Sequence, residues 1–121
     1  MEANVTHEQV WVKVNAQVDR GVAEVVAVLN RVRGLQTVAS CEGIAGEKPA
    51  YVYFNYGDWR NVGQFCFELV GPALWNTLKN SATVSLEIFN ESEPMAKLAF
   101  DKEATNVVAS ILAELTTNDR S

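Results

Sequence analysis

Hydrophobic positions alternate from the start of the chain. Val10, Val12 and Val14 alternate with Trp11, Lys13 and Asn15, a period of two that predicts a strand with its valines inward. The period then lengthens: Val22, Val25, Val26, Leu29 and Val32 recur at three- and four-residue spacing and predict a helix with one apolar face. Asp19 stands where a carboxylate can cap the free amides of the first turn. Arg31 and Arg33 lie in the last turn, where positive charge is favoured, and Gly34 is suited to a left-handed stop. Leu35 to Ser40 reads as a second strand that runs into Cys41-Glu42-Gly43, and the segment GIAGEKP reads as a loop. Tyr51 to Tyr56 is the third strand. Val52, Phe54 and Tyr56 share one face and Tyr51, Tyr53 and Asn55 the other; both are rather apolar, which predicts a central strand.

Val62, Phe65, Cys66, Leu69 and Val70 fit a helical face, while Phe65, Phe67 and Leu69 also fit strand alternation; the longer pattern favours helix. Gly71-Pro72 is expected to break it, with Pro72 at the first position of a short helix reaching Leu78. Ala82 to Phe89 and Met95 to Phe100 read as a hairpin turning through NESEP. Asp101 is expected to cap a last helix whose face is Ala104, Val107, Val108, Ile111, Leu112 and Leu115. The order β-α-β-β-α-α-β-β-α predicts one α+β or α/β domain over residues 1–121, with flexible ends at 1–6 and 117–121. Its sheet is expected to be mixed, with about five strands packed with three or four helices and the first two strands parallel.

Composition narrows the function classes. Hydrophobic residues make up 48% of the 121, enough for a core without disulfide staples, so Cys41 and Cys66 are expected to be free thiols in a reducing compartment. A net charge of -5 argues against a nonspecific grip on nucleic-acid backbone. No apolar run reaches bilayer length and the N-terminus lacks a secretory pattern, so no membrane partner is expected and the expected location is the cytoplasm. With no CxxC and no histidine cluster, no metal site is expected; magnesium held by carboxylates would need tertiary geometry.

The candidate chemistry centres on Ser40-Cys41-Glu42-Gly43, polar groups held at a strand end. The catalytic candidates are Cys41, Glu42 and Asp19. A thiol needs a base or cation to attack at neutral pH, but the sole histidine, His7, lies near the chain end and Glu42 repels a thiolate, so a structural thiol is the plainer reading. Glu42 paired with Asp19 or Asp58 in one cleft would suit general acid–base work; alternatively, Asp19 caps a helix, Asp58 closes a turn and Glu42 is solvated. Ser40, Gly43 and Gly46 could surround an anion, without the spacing of a phosphate loop. Tyr51, Tyr53 and Asn55, with Trp59 and Arg60 just beyond, form an aromatic-polar face that could stack on RNA bases, pack under a helix or join two copies. Trp11 and Trp75 read as packing anchors. The favoured reading is a small ligand bound by Ser40, Cys41, Glu42, Gly43, Asn55 and Tyr53 in a homo-oligomer, with a dimer the simplest case. The cofactor is unassigned. The alternatives are a nucleotide- or RNA-modifying enzyme and a structural homo-oligomer.

The segment DRGVAEVVAVLNRVRGLQTVASCEG resembles a pattern in small bacterial and phage α/β proteins with an SCEG-type motif. The pattern joins an aspartate before an amphipathic helix, an LN pair and G-x-x-T-x-x-S-C-x-G, here Asp19, Leu29, Asn30, Gly34, Thr37, Ser40, Cys41 and Gly43. Its core is also distantly similar to the Ser-Cys-Ser-Gly motif of the wybutosine-synthesising tRNA methyltransferase-like family, over Asp19 to Gly43, around a fifth of the chain. Ser40, Cys41 and Gly43 match that core; Glu42 stands in place of the second serine and Ile44 in place of a basic residue. The resemblance implies modification of a guanosine-derived base in tRNA with S-adenosylmethionine as cofactor.

Overall fold

A computed structural model describes residues 9–11, 17–90 and 93–120. The elements are β1 (Gln9–Trp11), β2 (Gln17–Asp19), α1 (Ala23–Leu29), β3 (Leu35–Cys41), β4 (Ala50–Tyr56), α2 (Trp59–Gln64), a π-helical segment (Phe65–Val70), α3 (Gly71–Leu78), β5 (Ala82–Asn90), β6 (Glu93–Phe100) and α4 (Thr105–Arg120).

The architecture is α+β, and its main sheet has four strands in the order β3-β4-β6-β5. Every neighbouring pair is antiparallel. This corrects the expected mixed sheet of about five strands. The expected first strand, Val10 to Asn15, is described only as far as Trp11; it pairs antiparallel with Gln17–Asp19 in a separate two-stranded ribbon instead of lying parallel to β3. Antiparallel pairing with β2 satisfies its ladder locally, so the helix α1 is not a crossover between parallel strands.

β4 is central, as its two apolar faces predict. Ala50, Val52 and Phe54 are buried, while Tyr51, Tyr53 and Asn55 are half-buried on the opposite side. β6 repeats the pattern: Ala96, Leu98 and Phe100 are buried and Lys97 and Ala99 are not fully so. The buried face carries the helices. Val25, Val26 and Leu29 of α1, Phe65 and Val70 of the π segment, Leu74 of α3 and Val108 and Leu112 of α4 form one core with it. The Phe54 and Phe65 rings meet edge to face at 5.9 Å, which seats the π segment on this side. Among the described residues no helix covers the other face.

Helix rather than strand holds for Val62 to Val70, but Gly71-Pro72 does not break it. Pro72 has no amide hydrogen, and its ring would strike the carbonyl of Glu68 in a regular α-helix. The backbone widens instead: the Gly71 amide donates to Cys66 O, five residues back, and the chain continues into α3 with Pro72 in its first turn. Asp58 caps α2, its Oδ1 accepting from Asn61 N at 3.0 Å. Asp19 and Asp101 occupy cap positions before short 3-10 turns without making side-chain caps, which corrects the role expected of both. Trp75 is 53% exposed, so it is not the anchor expected; the Trp11 side chain lies outside the described residues.

Candidate functional site

β3 carries the site residues, and a bulge decides where they point. Pairing runs Leu35↔Tyr56, Gln36↔Asn55 and Thr37↔Phe54, then shifts by one at Val38 to Ala39↔Tyr53, Ser40↔Val52 and Cys41↔Tyr51. Residues directly opposite share a face. Simple alternation would place Cys41 with Leu35 and Thr37 on the helix side. The extra residue moves Cys41 to the helix-free face beside Tyr51 and leaves Ser40 on the helix side with Val52.

Beyond the strand end, Glu42 ties three elements together. Its backbone N–H donates to Asp19 Oδ2 at 3.1 Å, and its Oε1 accepts from Gly21 N at 2.7 Å. Its Oε2 faces Lys102 Nζ at 3.7 Å, and that ammonium also donates to Gly43 O at 3.3 Å. Asp19, 6% exposed, thus binds the Glu42 backbone instead of capping α1. Gly21 permits the contact, because a Cβ there would come 2.8 Å from Glu42 Cβ. This geometry makes Glu42 a bracket between the β2–α1 turn, the end of β3 and the entry to α4. Glu42→Ala is expected to cost about 2 kcal/mol by leaving the Gly21 amide without its acceptor. Glu42→Gln keeps an acceptor oxygen and loses only a partly exposed ion pair, so it should cost under about 1 kcal/mol. Urea unfolding of the two variants measures both; equal losses would refute the bracket.

The structure brings Asp19, Cys41, Glu42, Gly43, Tyr51 and Tyr53 to one end of the sheet. Asn55 follows on the same face of β4, two residues beyond Tyr53 and opposite Gln36, roughly 7 Å from Tyr53 and roughly 13 Å from Tyr51 at about 3.3 Å per residue. Asp58 caps α2 and is not a partner for Glu42. Asn30 and Thr37, two of the polar residues of the resemblance, bind each other: Asn30 Nδ2 donates to Thr37 Oγ1 at 2.8 Å and Thr37 N donates to Asn30 Oδ1 at 3.2 Å. They lock the α1–β3 connection rather than enter the site.

On the helix-free face, the Tyr51 and Tyr53 rings stand edge to face with centroids 5.5 Å apart. Lys97 Nζ lies 5.3 Å from the Tyr51 centroid and 5.5 Å from that of Tyr53. The Tyr53 hydroxyl donates to Glu87 Oε1 at 3.2 Å. Burial, followed by the nearby Cys41, raises the Tyr51 hydroxyl above its ordinary pKa, so the ring stays neutral at physiological pH. Both cysteines are free; burial pushes the Cys66 thiol up to about 12, which makes it inert. No protein family, curated protein or solved structure matches this chain. The site therefore has to be read from its own groups.

Lys97 and Glu87 were not singled out from the sequence. The hairpin register places Lys97 opposite Ser85, but only the pairing of β6 with β4, which periodicity does not record, places it opposite Tyr53. Behind the Gly43–Pro49 loop, a groove of about 560 Å³ is lined by Glu47, Lys48, Asp101, Lys102 and Glu103 and shares Lys102 with the Glu42 network. Among the described residues no three His, Cys, Asp or Glu side chains are grouped to hold a metal ion, and no helix is long and apolar enough to cross a membrane.

Proposed function

We propose that this chain is a cytoplasmic ligand-binding protein whose site is the helix-free face at the end of β3, formed by Cys41, Tyr51, Tyr53 and Lys97. The ligand is a small molecule with a planar ring and one anionic group, such as a mononucleotide. The observation that carries this reading is the Lys97 ammonium set over two half-buried tyrosine rings on a sheet face without a helix above it. The rings supply apolar and π surface, the ammonium supplies one charge, and Cys41 lines the edge. A single cation in an acidic chain suits a small anion better than the regular phosphates of RNA. Glu42 and Asp19 hold the end of β3 in place, and the proposal requires no covalent step.

The test is titration with a panel of nucleoside monophosphates, read by NMR of the tyrosine rings and by the rate of Cys41 alkylation. One ligand is expected to shift the Tyr51 and Tyr53 signals and to slow Cys41 labelling, with Cys66 unlabelled throughout. Lys97→Ala should weaken that binding roughly five- to tenfold, and Lys97→Arg should retain most of it. Unchanged ring signals and labelling rates across the panel would overturn the proposal. A short single-stranded RNA that binds in its place, with steep loss on added salt, would favour the RNA-modifying reading that the resemblance implies.

A further inference from the structure

β5 is an edge of the main sheet, with β6 as its neighbour on one side. Edges that meet only water are usually blunted by lysine, proline or a bulge. Ala82–Leu86 has none of these; the register shift comes later, between Ile88 and Asn90. Beside this edge, Phe67, Pro72, Leu74, Trp75, Thr83 and Val84 line a groove of about 410 Å³. Phe67 and Trp75 are 52% and 53% exposed, large aromatic surfaces left to solvent. The stretch Phe67–Leu86 has two charged residues, Glu68 and Lys79, in a chain that is 21% charged.

We infer that the β5 edge and the Phe67–Trp75 groove beside it form the contact for a second copy of this chain. Charge limits where a second copy can close: two copies at -5 repel each other over acidic surface, whereas the two charges of this strip, Glu68 and Lys79, cancel. The geometry is also self-complementary. A strand edge pairs antiparallel with its own copy about a two-fold axis, each free donor meeting an acceptor. An axis perpendicular to the sheet keeps the helices of both copies on the same side, so α3 meets its counterpart across the junction. Phe67 and Trp75 of each copy are then removed from water, and the tyrosine platform stays open on the opposite face.

Sedimentation equilibrium across the micromolar range tests the inference. A monomer–dimer equilibrium is expected, weakened at least tenfold by Trp75→Glu. Phe67→Glu, at the other exposed aromatic of the groove, should have the same effect. Both positions are exposed, and circular dichroism identifies a variant that has failed to fold. Lys97→Ala should leave the mass unchanged, so this inference and the ligand proposal fail separately. A monomeric mass at every concentration overturns the inference and leaves the groove to a different protein. A dimer unmoved by two folded variants also overturns it, placing the contact elsewhere.

Discussion

Phe54→Ala should lower the free energy of unfolding by about 4 kcal/mol, within the range for emptying a fully buried aromatic site. Phe54 is 1% exposed, stands on the central strand and meets Phe65 edge to face. Its truncation removes apolar burial, an aromatic pair and the seat of the π segment together. The neighbours cannot refill the space cheaply, because Val52 and Leu98 are fixed by strand pairing on both sides. A domain of this size has roughly 6–18 kcal/mol of stability, so the variant should still fold but unfold at markedly lower urea. A loss below about 1 kcal/mol would show that Phe54 is not at the centre of the core.

Gly43→Ala should cost about 3 kcal/mol and lower the melting temperature by roughly 12 °C, at about 4 °C per kcal/mol for a chain of this length. Two causes add. Gly43 has φ 73°, where a side chain is strained, and a Cβ would lie 2.6 Å from Ala50 N, 2.7 Å from Lys48 O and 2.7 Å from the Pro49 carbonyl carbon. All three are backbone atoms and cannot swing aside. Gly46 separates the causes: its φ is 77°, but nothing lies within 4 Å of a Cβ there. Gly46→Ala should therefore cost only about 1 kcal/mol, the strain alone. Calorimetry on the two variants decides the matter; equal losses would show that the backbone contacts around Gly43 relax.

The resemblance and the hydrogen bonds around β3 share Asp19, Asn30 and Thr37 for a physical reason. Asp19, Asn30, Thr37 and Glu42 bind one another or the backbone, joining α1 and its preceding turn to β3. A sequence pattern that contains Asp19, Asn30 and Thr37 reads as chemistry because polar groups at strand ends so often are sites. Their partners show that they hold the strand end, while the groups that face outward, Cys41, Tyr51, Tyr53 and Lys97, come from alternate positions on three strands.

Local periodicity was enough to determine α1, the two faces of β4, the β5–β6 hairpin and the last helix, because each rests on contacts made within one short segment or its nearest neighbour. The central place of β4 was legible for the same reason: both its faces are apolar. Sheet order was not, because β6 pairs with β4 across the whole α2–α3 insertion and periodicity carries no record of partners. Nor was the continuity of the helix past Pro72, which depends on a five-residue hydrogen bond to Cys66. The site turns on a single extra residue. Alternation from Leu35 sends Cys41 into the helix layer; the bulge at Val38, visible only once β3 is paired, turns it out beside Tyr51, whose ring Lys97 covers. A strand has period two, so one inserted residue exchanges the faces of everything beyond it.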